Sequence, residues 1–197
     1  RSGRGVSALI GVLALQGDFA EHVQVVDAVG GRARQVRDAN QLDGLDGLII
    51  PGGESTTIGM LMERYDLVDP IRDLAKHGVP IWGTCAGLIL MARDVGRQQP
   101  LLELIDMSVE RNAFGRQLES FEVSVDIEGI SGGGFPAVFI RAPRVVSVGD
   151  GVEVLARLDD GSIVAVRQKN LLGTAFHPEL TYDLRLHSYF VGMTEAV

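Results

Sequence analysis

Three unbroken apolar runs constrain this chain more than any other feature: Ala8–Leu15, Gly47–Ile50 and Val79–Gly83. Each is too short for a core helix and lacks the apolar–polar alternation of a half-exposed strand. Such runs belong to strands buried on both faces, as in a parallel sheet covered by helices. Helical signals fall between them. Asp18 and Glu21 have the spacing of a variant capping box, opening a helix that carries Phe19, Val23 and Val26 and stops at Gly30-Gly31. Arg32–Val36 predicts a short second strand. Helical periodicity returns from Thr57 to His77, closed by Gly78, and Ala86–Ala92 predicts a helix behind the strand at Val79–Gly83. Strand and helix in alternation imply parallel pairing with right-handed crossovers.

The second half has another texture. Met107–Val109, Phe121–Val125, Ala137–Ile140, Val152–Leu158 and Ile163–Val166 are short, β-branched and bounded by turn residues, which predicts hairpins. Gly132-Gly133-Gly134 reads as a flexible loop tip. The chain closes with a strand at Leu171–Phe176, then His177-Pro178-Glu179, then a helix from about Tyr182 to Gly192. The expectation is one α/β domain over residues 7–197, with a mostly parallel central sheet and an antiparallel extension. Residues 1–6 read as a disordered or trimmed end. A length of 197 residues suits a single core.

Charge and cysteine usage exclude several classes. A net charge of −8 and a pI near 5.0 argue against a nucleic-acid surface and against anionic membranes. The longest apolar stretch, Val6 to Leu15, falls short of the roughly 20 residues that cross a bilayer. Cys85 is the only cysteine, so no internal disulfide forms, and a cytoplasmic location is expected.

That cysteine lies in Gly83-Thr84-Cys85-Ala86-Gly87, between a predicted strand and a predicted helix. A lone cysteine is most often a small buried hydrophobe. Here the flanking glycines favour a nucleophile elbow, in which a tight turn lifts the sulfur to the carboxyl edge of the sheet. The helix N-terminus beneath it favours thiolate. Four histidines compete as its base. His22 and His187 lie in predicted helices and His77 precedes a helix-ending glycine, so these three read as solvated or capping residues. His177 follows a buried strand, with Glu179 two places on. In an extended segment those side chains point the same way, so the carboxylate reaches one ring nitrogen and leaves the other for the Cys85 proton. Pro51-Gly52-Gly53-Glu54-Ser55-Thr56-Thr57 follows the third strand. Its glycines let backbone N–H groups approach a ligand, and Gly53 with Ala86 forms a candidate oxyanion site. No Gly-Lys-Ser/Thr ending supports a phosphate loop.

The elbow together with His177-Pro-Glu179 resembles the class I glutamine amidotransferases. Gly11-Val-Leu-Ala-Leu-Gln-Gly-Asp18, Pro51-Gly-Gly-Glu-Ser-Thr-Thr57, Glu110-Arg-Asn-Ala-Phe-Gly-Arg-Gln117 and Phe139-Ile-Arg-Ala-Pro143 are similar, within that group, to the glutaminase subunits of pyridoxal 5′-phosphate synthase. The resemblance runs from about Gly11 to Met193. It implies a three-layer flavodoxin-like fold and hydrolysis of L-glutamine by Cys85, His177 and Glu179. It also implies substrate contacts from Gly53, Glu54, Ser55, Arg111, Ile140 and Arg141, with no metal or organic cofactor. Its implied partner is a barrel-shaped synthase subunit in a multimeric core, which receives the ammonia. The helix after Gln16-Gly17 is the implied docking element. Two other readings stay open on the residues alone: an amidotransferase feeding a different synthase, and a non-catalytic redox regulator with a cysteine elbow.

Overall fold

The computed structural model describes residues 6–115 and 119–195. Of the expected disordered end at residues 1–6, residues 1–5 lie outside the described residues, as does the Arg116-Gln117 end of one motif. The first half runs β1 (Leu9–Leu13), α1 (Phe19–Ala28), β2 (Arg32–Val36), β3 (Gly47–Ile50), α2 (Ser55–Arg64), α3 (Val68–Lys76), β4 (Ile81–Thr84) and α4 (Ala86–Met91). The second half runs β5 (Ala92–Asp94), β6 (Ile105–Glu110), β7 (Ser120–Val125), β8 (Phe135–Ile140), β9 (Arg144–Val148), β10 (Glu153–Arg157), β11 (Ile163–Gln168), β12 (Leu171–Thr174) and α5 (Arg185–Glu195).

One sheet carries ten of these strands in the order β2-β1-β3-β4-β12-β11-β9-β6-β5, with β10 paired to β11. From β2 to β12 every pairing is parallel; β12–β11, β11–β9 and β9–β6 are antiparallel. The mostly parallel sheet with an antiparallel extension is therefore present, and β7–β8 form a separate hairpin.

The apolar runs feed two cores, one per face. Leu13, Leu48, Ile50 and Ile81 point to the side covered by α2, α3 and α4, where Ile58, Ile71 and Leu88 pack. Ile10, Val12, Ile49 and Trp82 point to the other, against Val26 of α1, Phe190 of α5 and Phe139 of the hairpin. Successive strand residues thus serve opposite layers, which is why β1, β3 and β4 need apolar side chains at nearly every position.

Four expectations are corrected. The helical stretch from Thr57 to His77 is two helices, broken at Asp66, whose φ of 53° leaves the helical region. Strands β5 and β9 are additions: β5 is three residues with one apolar side chain, while β9, Arg144-Val-Val-Ser-Val148, carries three valines and directly follows Pro143. The Gly132–Gly134 tip is tethered, because the Arg185 guanidinium donates to the carbonyls of Ser131 at 2.8 Å, Gly133 at 2.8 Å and Gly134 at 3.0 Å. Asp18 makes no side-chain cap on α1. No helix among the described residues is long and apolar enough to cross a membrane.

Candidate active site

The carboxyl ends of β1, β3, β4 and β12 converge on one edge of the sheet, and each delivers part of the site. After β4 comes Cys85, with φ 49° and ψ −102°, a strained turn that raises its side chain off the sheet. Its backbone N–H donates to Thr174 O at 2.8 Å, tying the elbow to β12. The glycines are steric necessities: a Cβ on Gly83 would strike the Gly87 carbonyl, and one on Gly87 would strike the Ile50 carbonyl. Ala86 opens α4, so its N–H belongs to the first turn, whose donors have no partner inside the helix.

After β12 comes His177, its backbone N–H held by Val138 O at 2.8 Å. Its Nδ1 lies 2.5 Å from Glu179 Oε1 and 3.1 Å from Asp18 Oδ2. The Nδ1 proton is thereby committed to carboxylates, and the opposite nitrogen is left for Cys85, which lines the same cavity. The His177–Glu179 pairing is as expected, but its backbone is not extended. Pro178–Leu180 is a 3-10 turn with proline at its first position, where the fixed φ of proline suits a helical start. The turn brings the carboxylate back under the ring.

The second carboxylate, Asp18, was expected to cap α1. It turns away to His177 because the Gln16–Asp18 segment is clamped to the loop after β3: Asp18 N donates to Gly52 O at 3.1 Å, and Gln16 Oε1 accepts from Glu54 N at 2.8 Å. Its place at the carboxyl end of β1 was the signal that could have exposed it. His22, one helical turn later, is a further correction. Neither it nor His187 is solvated; they are 0% and 1% exposed. His22 lies on the buried stripe of α1 with Val25 and Val26, a spacing that the helical periodicity already contained. His77, by contrast, bonds its ring to Asp73 O at 2.7 Å at the exposed end of α3.

Electrostatics follows from this crowding. Burial acts to lower the His177 ring, yet its hydrogen bonds to Asp18 and Glu179 and the neighbouring Cys85 thiol outweigh that and hold it well above its ordinary value. Burial also acts to raise Asp18, and the bonds to His177 and Glu179 reverse it, so Asp18 stays ionised. Burial and the facing Asp18 outweigh the His177 bond and hold the Glu179 carboxyl up, to about 8. Asp18, His177 and Glu179 offer ligand atoms within 4.8 Å of one another. Those same atoms orient the base, so a cation there would displace the bonds that hold it.

A cavity of about 640 Å³ opens in front of this group. Cys85, His177, Gly53, Glu54, Ser55, Ala86, Arg111, Ile140 and Arg141 all line it, so every residue expected at the site is there except Glu179, which lies behind the ring, 6% exposed. Gln16, Arg97 and Asn112 line it too, and no motif had marked Arg97. The Cys85 thiol faces Ile140 O at 3.9 Å. Glu54 caps α2, accepting from Thr57 N and Thr57 Oγ1 at 2.8 Å each, and lies 3.4 Å from Arg111. These contacts outweigh its slight burial and hold its carboxyl below the usual range. The set combines a nucleophile, an oriented base, backbone N–H groups and three arginines, one of them beside an acid. That combination suits acyl transfer from a small zwitterionic amide.

Similarity to known proteins points the same way. The family described as the SNO glutamine amidotransferase family matches residues 12–196. The pyridoxal 5′-phosphate synthase subunit PdxT of Moorella thermoacetica is 56% identical over 185 residues, covering 93% of this chain and 98% of the relative. The subunit of the same name from Dehalococcoides mccartyi is 54% identical over 189 residues, covering 94% and 97%. A solved glutamine amidotransferase superposes with a TM-score of 0.90 at 49% identity, covering 94% of this chain and 98% of its own. A putative GMP synthase component from Thermoplasma acidophilum, at 18% identity and a TM-score of 0.72, covers 98% of this chain and 96% of its own and shares the fold. On sequence, fold and site geometry together, the chain belongs to the SNO glutamine amidotransferase family.

Proposed function

We propose that this chain hydrolyses L-glutamine to L-glutamate and ammonia through a thioester on Cys85. The ammonia passes to the synthase subunit that makes pyridoxal 5′-phosphate. The observation that carries the reading is the elbow cysteine facing a histidine whose far nitrogen is already held by carboxylates. In the first half-reaction the Cys85 thiolate attacks the side-chain amide carbon. The carbon–sulfur bond forms, and N–H groups of Gly53 and Ala86 receive the oxyanion, each donor being worth about 10²–10³ in rate. His177 gives its Nε2 proton to the departing nitrogen, the carbon–nitrogen bond breaks, and ammonia leaves. In the second half-reaction His177 takes a proton from water, which attacks the thioester. Collapse releases glutamate and restores the thiolate beside a protonated ring.

Glu179 and Asp18 act through His177, fixing its orientation and stabilising its charged form. Arg111 and Arg141 suit the substrate α-carboxylate, and Glu54 with Ser55 suits its α-ammonium end. The Ile140 carbonyl, already beside the thiol, faces the reacting amide. The synthase subunit docks as a barrel in a multimeric core over the α1 side of the site, so that ammonia is passed on rather than lost. A single unpaired cysteine fits a cytoplasmic setting.

The test is glutamate release from glutamine, with and without the pyridoxal 5′-phosphate synthase subunit, for wild type and Cys85→Ala. Activity that requires Cys85 and rises with the partner is expected. Absence of activity in every mixture would overturn the reading.

A further inference from the structure

Behind the catalytic ring lies a buried polar chain that the glutaminase mechanism does not use. Glu179 presents Oε1 to His177, but its other oxygen, Oε2, is buried and has no hydrogen-bond partner among the described residues. The nitrogen facing it is His22 Nε2, at 3.3 Å, with both side chains fully buried. His22 Nε2 also lies 3.2 Å from Thr84 Oγ1, and His22 Nδ1 lies 2.9 Å from His187 Nε2. His187 Nδ1, at the far end, has no partner among the described residues. Trp82, itself fully buried, packs edge-on against His187, with ring centroids 4.7 Å apart.

The protons in this chain are determined by elimination. Both rings are neutral, because burial holds His22 down to about 4 and His187 well below its ordinary value. Between His22 Nδ1 and His187 Nε2 one nitrogen carries a proton and the other accepts it. If His22 donated there, His187 would carry its own proton on Nδ1, leaving a buried N–H with no acceptor. Orphaned buried donors are rarer than under-used acceptors. His187 therefore donates from Nε2, His22 accepts at Nδ1, and the remaining His22 proton sits on Nε2, between Thr84 Oγ1 at 3.2 Å and Glu179 Oε2 at 3.3 Å.

We infer that the His187–His22 pair is a positioning device for Glu179. His187 fixes the His22 tautomer, and the His22 Nε2–H then faces Glu179 Oε2 and favours the charged form of that carboxylate as the acceptor for the Nδ1–H of His177. The inference rests on the glutaminase reading of the same site. The titratable groups facing Glu179 are His177 of its own turn and Asp18 and His22 of the α1 segment. Burial and Asp18 oppose ionisation of Glu179 and the His177 hydrogen bond favours it; the His22 Nε2–H facing Oε2 acts in the same direction as His177.

Two measurements test this. Long-range proton–nitrogen correlation spectra of the wild-type imidazole rings should show His22 and His187 neutral and protonated on Nε2; a His22 ring protonated on Nδ1 would overturn the inference. The second is the pH profile of kcat/KM for glutamate release, in the presence of the synthase subunit, for wild type, His22→Leu, His187→Leu, the double variant and His22→Gln. A hydrogen bond to a charged group is worth enough to move the acid limb up by about one pH unit, with about tenfold loss on that limb and little on the alkaline side. Both single leucine variants should shift it, the double variant no further, and His22→Gln, which keeps an N–H donor, should restore it. Profiles that fall in parallel at every pH would mean a merely structural pair. A silent wild type would instead condemn the glutaminase reading, and the tautomer spectra would still decide this one.

Discussion

Gly52→Ala should separate catalysis from stability. The loop after β3 passes so close to the base that a Cβ on Gly52 would lie 2.5 Å from His177 Cε1, 3.1 Å from its Nδ1 and 3.3 Å from Asp18 Oδ1. Side-chain carbons keep at least 3.0 Å from such neighbours, so the ring must retreat by 0.5 Å or more, the difference between 3.0 and 2.5 Å. Ordinary contact begins at 3.4 Å, which asks for 0.9 Å. The ring cannot move toward Glu179 without compressing a 2.5 Å hydrogen bond, so it moves relative to Cys85. A displacement near 1 Å costs about 10²-fold in rate, so kcat should fall about 10- to 100-fold. The methyl meets a side chain at the rim of a cavity rather than fixed backbone. The stability cost should therefore lie at the low end for overpacking, about 1 kcal/mol. The assay is steady-state glutamate release beside a urea unfolding curve. Gly192→Ala is the control. It lies in α5 with open space around it, and should leave kcat unchanged while stabilising the helix by up to about 1 kcal/mol. A Gly52→Ala enzyme with kcat within about twofold of wild type would refute the claim that ring placement controls the rate.

Removing the second carboxylate tests Asp18. Its hydrogen bond raises His177, so Asp18→Asn should lower the ring and bring the alkaline limb of the activity profile down by about one pH unit; an unmoved limb would show Asp18 to be a bystander. Glu54→Ala removes the α2 cap and the neighbour of Arg111, and should cost about 1 kcal/mol in thermal or urea unfolding. It should also raise KM for glutamine more than it lowers kcat, and a pure kcat effect would contradict a place for Glu54 in the binding wall. Folding stability should fall as pH drops below neutrality. His22 is held from 6.5 down to about 4 in the fold, so the unfolded chain takes up its proton first. The associated stability is complete above 6.5 and declines to a loss of about 3 kcal/mol near pH 4. In urea titrations across that range His22→Gln should show the shallower decline, and equal slopes would place the acid sensitivity elsewhere.

What the sequence revealed and what it hid divide along a physical line. β1, β3 and β4 were legible because burial on two faces demands apolar side chains at nearly every position, as Ile10, Leu48, Ile49 and Trp82 show. Cys85 was legible because steric necessity at Gly83 and Gly87 writes the elbow into consecutive letters. His177 and Glu179 are two residues apart, so the pair survived even though its backbone is a 3-10 turn rather than a strand. Asp18, His22 and His187 reach the same group across 159, 157 and 165 residues of separation from their partners, counting Asp18 to His177, His22 to Glu179 and His22 to His187. No local pattern encodes such distances.

Polar residues in α1 were easy to misread because their local meaning is plausible. An Asp before a helix is a good cap in isolation, and a His within one is commonly solvated. The fold overrides both. Strand β1 sits one strand from β3 and two from β4, so the turn leaving it opens directly over the elbow. Once Gln16 and Gly17 are locked against the loop after β3, the next residue faces the base and the residue one turn further faces the space behind it. The β1–α1 connection therefore serves two ends at once: Gln16 and Asp18 meet the substrate cavity, and His22 reaches the rear of Glu179. A partner that docks on the α1 side would press on an element already connected to the base, its orienting carboxylate and the loop bearing Gly53. Docking can thus influence the chemistry without touching Cys85, through residues whose spacing in the sequence marks them only as the first turn of a helix.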